Sequence, residues 1–168
     1  MSTILVNEIQ DTAGKKILQN TGSILQIVES GTIADHTNQN TNTFADTNMT
    51  VSITPTSSSN KILVSFSAVI RANFTGTLAR GALRVKRTVG STDTTLLMTD
   101  DFYEHFQVRN VSTEFSMVPN FEFLDSPSTT NQVTYTVQSY IRNDSGATSV
   151  IVRGSSRGTR MLAKEISA

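Results

Sequence analysis

Asp100-Asp101-Phe102-Tyr103-Glu104-His105 is the densest ionisable cluster in the chain, with three carboxylates and one imidazole in six residues. Oxygen and nitrogen donors at that density are what a divalent cation would take. On a strand, however, Asp101, Tyr103 and His105 share one face, while Asp100, Phe102, Glu104 and Phe106 share the other. The His and the Glu then point oppositely and cannot hold one ion without a bulge. An exposed turn entering an aromatic strand is the expected structure, and no metal site is assigned.

Nucleophilic catalysis needs a Ser or Thr, a base and a group that orients the base; His36 and His105 are the only imidazoles, and neither lies in a recognisable motif. No Gly-x-Ser-x-Gly elbow occurs. Asp100, Asp101, Glu104, Glu114 and Glu122 could supply a glycosidase-type carboxylate pair, yet no spacing singles one out. Gly76, Gly81 and Gly90 belong to no phosphate-cradling pattern. The basic run from Arg153 through Arg157 to Arg160 lacks the interleaved aromatics of a nucleic-acid groove, so a solvated, flexible loop before the last strand is expected. Tyr103 and Tyr140 could stack on sugar rings, but core or rim packing accounts for them equally well. The expectation is a protein without catalytic residues, without a cofactor and without a metal.

Composition points the same way. The 168 residues include no Cys, which removes disulfides, thiolate nucleophiles and Cys-metal sites together. Lys+Arg and Asp+Glu are each 14 and the sequence pI is about 6.7, so no global field draws the chain to nucleic acid or to an anionic membrane. Met1 to Glu8 has no basic start and its longest apolar run is Ile4-Leu5-Val6, so neither a signal peptide nor membrane insertion is expected. With 20 Ser, 25 Thr and only 17% charged residues, the surface must be wetted by hydroxyls and amides. Such a composition belongs to a β-protein made in a cytoplasm.

Period-2 alternation recurs along the chain and no sustained 3.6 period appears, which predicts an all-β protein with almost no helix. From Lys61 to Arg71, Ile62, Val64, Phe66, Ala68 and Ile70 share a face, and the uncharged opposite face predicts a central strand. From Val133 to Ile141, Val133, Tyr135, Val137 and Ile141 face inward, and Thr134, Thr136, Gln138 and Tyr140 read as a solvated face. Leu83 and Val85 alternate with Arg84 and Lys86 between Leu78 and Thr88. Phe115, Met117, Phe121 and Phe123 keep one parity between Thr113 and Leu124, with Pro119 demanding an edge or a bulge. Polar turns at roughly 8–12-residue spacing predict a jelly-roll or β-sandwich body. Asp35 to Asn48, with five Asn or Gln and four Thr around Phe44, reads as a long surface loop suited to contacts.

Residues 1–22 read as an N-terminal attachment segment before a body spanning 23–168. Thr3 to Gln10 and Lys15 to Gln19 flank the turn Asp11-Thr12-Ala13-Gly14, which makes a hairpin. An isolated hairpin is marginal in water, so Ile4, Val6, Ile9, Ile17 and Leu18 are the expected attachment residues, buried on a surface outside their own subunit.

Several segments resemble a family of virion structural proteins of marine and cyanobacterial tailed phages. They are Met1 to Gly14, Thr21 to Val28, Val51 to Val64 (Val-Ser-Ile-Thr-Pro-Thr-Ser-Ser-Ser-Asn-Lys-Ile-Leu-Val), Phe123 to Pro127 and Tyr135 to Gln138, together 45 of the 168 residues. The resemblance implies a homotrimeric β-rich body located in the virion, fixed to other phage virion proteins of the tail or capsid by its N-terminal segment, and it transfers no catalytic residue. Its implied role is a short tail fibre or host-recognition head directed at a host surface glycan or protein. The alternative is a capsid decoration protein bound to the major capsid protein. A more remote one is a free-standing lectin-like or tumour-necrosis-factor-like binding module.

Overall fold

The computed structural model describes residues 9–10, 16–18, 22–39, 43–74, 78–97, 106–109, 113–143 and 148–168. They form strands β1 (Ile9–Gln10), β2 (Lys16–Leu18), β3 (Ile24–Glu29), β4 (His36–Gln39), β5 (Ala45–Ile53), β6 (Lys61–Ser67), β7 (Ile70–Phe74), β8 (Leu78–Val89), β9 (Thr92–Leu97), β10 (Phe106–Arg109), β11 (Thr113–Met117), β12 (Asn120–Asp125), β13 (Val133–Asn143), β14 (Thr148–Val152) and β15 (Arg160–Ile166). A single 3₁₀ turn, Ser155–Arg157, is the only helical element among the described residues.

All pairings are antiparallel, and several strands are halves of longer ones interrupted at a common level. Taking β3/β4, β5, β6/β7, β8, β9/β10, β11/β12, β13 and β14/β15 as the body's strands in chain order, the sixth, third, eighth and first lie side by side in one sheet. The fifth, fourth, seventh and second form the other. Placing the first strand beside the last, and wrapping the chain in pairs, is the jelly-roll arrangement. The body is therefore a jelly roll, and β1 pairs only with β2 outside it.

The core forms where the inward parity of both sheets meets. Ile62, Val64 and Phe66 of β6, Met161 and Ala163 of β15, Val85 of β8 and Val133, Tyr135, Val137 and Ile141 of β13 are all buried, with Phe121 and Phe123 packed against them. The β6/β7 strand is flanked on both sides, as its uncharged faces predict. At one end Asp125 of the first sheet accepts Arg87 Nη1 at 2.8 Å and the Tyr135 hydroxyl at 2.7 Å, both from the second. Burial, together with Asp125, raises the Tyr135 pKa, so its hydroxyl stays a donor.

The first sheet creases where its four strands break. Ala68 N–H donates to Pro119 O at 3.1 Å and Arg153 N–H to Val69 O at 2.8 Å, while Val69 N–H meets Thr159 Oγ1 at 3.0 Å. Pro119 thus sits at a break in an edge strand, where the missing N–H removes no ladder bond. Gly154 fits because a Cβ there would lie 2.2 Å from Ile33 O, which is backbone and cannot swing aside. Gly154→Ala is expected to destabilise the fold by roughly 1–3 kcal/mol, read as a lower midpoint in urea unfolding. An unchanged midpoint would show that the crease can open at no cost.

Three expectations are corrected. Residues 35–48 are not a long loop: His36–Gln39 and Ala45–Ile53 are strands, and Asn38 is buried with its amide donating to Ser139 O at 2.7 Å. Polar side chains there satisfy backbone groups rather than solvent. On β13 the face read as solvated is covered, since Thr136, Gln138 and Tyr140 are all buried. Phe44 lies 4.9 Å from the Tyr140 ring and Arg84 stands 3.8 Å above Phe44. Gln138 accepts from Arg84 Nε at 2.6 Å and donates to Asp46. The Arg153 to Arg160 run is likewise not a free loop; it carries the 3₁₀ turn and buries Gly154 and Thr159.

Candidate functional site

The residues 98–105 between β9 and β10, which hold the Asp100 to His105 cluster and Tyr103, lie outside the described residues. Among the described residues no three His, Asp or Glu side chains gather into a metal-sized group. The His36 Nε2 atom is buried and bonds no described residue, and burial pushes its pKa down against a smaller upward pull from Asp46. Nothing there resembles a nucleophile and base held by a third group. Glu114 is taken up by Arg71, and Glu122 is exposed on β12.

Of the expected attachment residues, Ile4 and Val6 lie outside the described residues. The backbones of Ile9, Ile17 and Leu18 lie in the β1–β2 hairpin, where Ile9 stands opposite Leu18 and Gln10 opposite Lys16. Gly22 N–H donates to Ser167 O at 2.8 Å and Ser167 N–H to Ser23 O at 2.9 Å, tying the chain before β3 to the end of β15.

Just beyond that tie, the outer face of the first sheet exposes several large apolar side chains. The register places Leu124 of β12 opposite Leu63 of β6, Leu63 opposite Lys164 of β15, and Lys164 opposite Ile27 of β3. Ile166 stands opposite both Lys61 and Ile24, and Leu162 opposite Ser65 and Glu29. Ile24, Ile27 and Leu124 are 55%, 58% and 51% exposed, whereas single exposed apolar residues would need no explanation. Here they stand around Lys164 together with the half-buried Leu63, Leu162 and Ile166, and Lys61, Arg160, Glu29 and Glu122 border the patch. A shallow groove of about 330 Å³, lined by Ser65, Ser67, Asn120, Glu122, Arg160 and Leu162 among others, adjoins it. Parity alone put Leu63 on the second face of β6; only the strand order brings Ile27 and Leu124 beside it.

The same end holds the turn between β5 and β6. Glu165 is fully buried beneath it and accepts Thr56 N–H at 2.7 Å, Thr56 Oγ1 at 2.8 Å, Asn60 Nδ2 at 2.7 Å and Gln26 Nε2 at 2.6 Å. Burial by itself would raise its pKa, but the bonds from Asn60, Gln26 and Thr56 outweigh it and hold the carboxyl at about 2. The Pro55 to Asn60 turn is thus a structural fastening that no local signal around Glu165 announced.

The strand order defines a jelly-roll domain, and the outer face of its first sheet leaves Ile24, Ile27 and Leu124 exposed. No protein-family model matches the chain, and no curated protein matches it. Among solved structures it is similar to the VP2 subviral particle of infectious bursal disease virus, at TM-score 0.44 and 8% identity over 98% of this chain and 42% of that one. The Gx strain structure of the same virus gives TM-score 0.41 and 8% identity over 97% and 42%, and the Gt strain structure 0.39 and 9% over 98% and 43%. The chain therefore spans less than half the length of the solved chains it matches.

Proposed function

We infer that this is a non-enzymatic virion structural protein of a tailed phage: a homotrimer displayed on the particle as a short tail fibre or host-recognition head and anchored by residues 1–22. The observation that carries this reading is the cluster of exposed apolar side chains on the outer face of the first sheet, with Lys164 at its middle. A soluble monomer seldom leaves such a surface in water, and three copies meeting through it would bury Ile24, Ile27, Leu63 and Leu124. Lys164 stands within it and Lys61, Glu29 and Glu122 at its edge, so a second copy supplies the complementary charges. The phage-like order of segments supports the same reading, and in it Ile4, Val6, Ile9, Ile17 and Leu18 dock on a neighbouring virion protein.

Two measurements test it. Light scattering on the purified chain at micromolar concentration is expected to give three times 18.3 kDa, and Ile27→Asp to give one. A monomeric parent sinks the trimer. Deleting residues 1–22 is expected to leave a soluble β-rich trimer by circular dichroism that no longer enters particles on complementation. Incorporation at normal copy number would move attachment elsewhere, and density on the capsid shell in a particle map would make the protein a decoration protein.

A further inference from the structure

A separate cleft of about 270 Å³ opens at the crease of the first sheet, lined by Val69, Arg71, Glu114, Ser116, Arg153 and Arg157. Three guanidinium groups come from two parts of the chain, β7 and the segment that follows β14. Arg71 projects outward from β7 opposite Ser116 of β11; Arg153 follows β14; Arg157 ends the 3₁₀ turn.

Their charges are incompletely answered. Arg71 pairs with Glu114, and Arg153 Nη1 pairs with Asp35 at 2.7 Å. Arg157 is exposed and makes no ion pair among the described residues, acting on Asp35 only through space, so three cations share two carboxylates. In addition, the Arg71 Nε atom is buried and has no acceptor among the described residues. A buried charged donor without an acceptor is costly, and an anion seated in the cleft would relieve it. The Gly154 N–H and Arg153 both bond Asp35, which holds Arg153 in place at the cleft wall.

The geometry points to a binding site for one small acidic ligand, of about monosaccharide size, whose carboxylate or phosphate group sits between Arg71, Arg153 and Arg157 with Ser116 as a hydroxyl partner. Guanidinium forks bind both oxyanions through paired charge-assisted bonds, so the two groups share one recognition chemistry. The site is distant in chemistry from the apolar face and is independent of the trimer and attachment reading.

The test is a titration of the isotope-labelled full chain, followed by nitrogen–proton NMR, with glucuronate, glucose 6-phosphate and uncharged glucose as probes. The Arg71 Nε–H signal and the amides of Arg153 and Arg157 are expected to move and saturate at millimolar concentrations of at least one acidic sugar, and not with glucose. Which acid saturates names the group. Arg157→Ala should weaken binding roughly tenfold with an unchanged spectrum elsewhere, since its side chain pairs with nothing described, and Lys61→Ala should bind like the parent. Ser116→Ala is the second variant, expected to weaken binding a few-fold. Identical, unsaturated shifts with all three sugars, or full binding by both Arg157→Ala and Ser116→Ala, overturn the proposal.

Discussion

Phe66→Ala is expected to cost roughly 3–5 kcal/mol of folding stability, a large part of the 5–15 kcal/mol that holds a typical domain together. Phe66 is 5% exposed and stands in one transverse row with Phe121 and Met161, its ring 5.3 Å from that of Phe121. Removing it opens a cavity between β12, β6 and β15 that rigid ladders on both sides cannot close. Urea unfolding should show a much lower midpoint with an unchanged slope, or no soluble protein at all. Thr134→Ala on β13 supplies the contrast. Its hydroxyl bonds Ser52 Oγ at 2.8 Å on a half-buried outer position, so the loss should stay near 1 kcal/mol. Equal midpoints for the two variants would mean that the strand register is displaced by one residue.

Acid is expected to loosen the fold in a window set by Glu165. Its carboxyl lies at about 2 in the folded chain against an ordinary 4.5. A depressed carboxyl stabilises the fold fully above the unfolded value and loses that contribution as pH falls toward the folded one. The window is therefore pH 4.5 down to 2, and the contribution at neutral pH is about 3 kcal/mol. Asp35, Asp46 and Asp93 also sit below the ordinary value. Asp35 is held there by the Gly154 N–H and Arg153, Asp46 by Lys86 and Gln138 against the cost of burial, and Asp93 by Thr88 and Lys86. Comparing the parent with Glu165→Gln isolates the one group. The variant should be less stable at pH 7 and should lose less on acidification from 4.5 to 2. Parallel curves would show that Glu165 does not drive the acid response.

Glu165 also marks where sequence reasoning stops. Nothing near residue 165 announces a buried carboxylate, because its partners Gln26, Thr56 and Asn60 lie more than a hundred residues away along the chain. The basic residues at the crease show the same limit. Arg71, Arg153 and Arg157 read as strand and loop charges until β7 and β14 pair and the turn folds back on Asp35.

For the segments Lys61 to Arg71 and Val133 to Ile141, strand character and inward parity were properties of the sequence alone. Ile62, Val64, Phe66, Ala68 and Ile70 must share a face because side-chain direction alternates with every residue of an extended chain, a purely local constraint. The absence of Cys and the balanced charge equally needed no structure to be stated. Tertiary structure decided what covers each face. The Asn- and Thr-rich stretch around Asn38 became strand because its neighbours offered ladder partners, and Gln138 and Tyr140 became buried because Phe44, Arg84 and Asp46 lie over them. It also decided that Ile24, Ile27, Leu63 and Leu124 form one surface, since β3, β6 and β12 come from distant parts of the chain and only the order of strands in the sheet makes them neighbours. Periodicity acts within a strand, whereas pairing order is set by the burial and hydrogen bonding of the whole sheet.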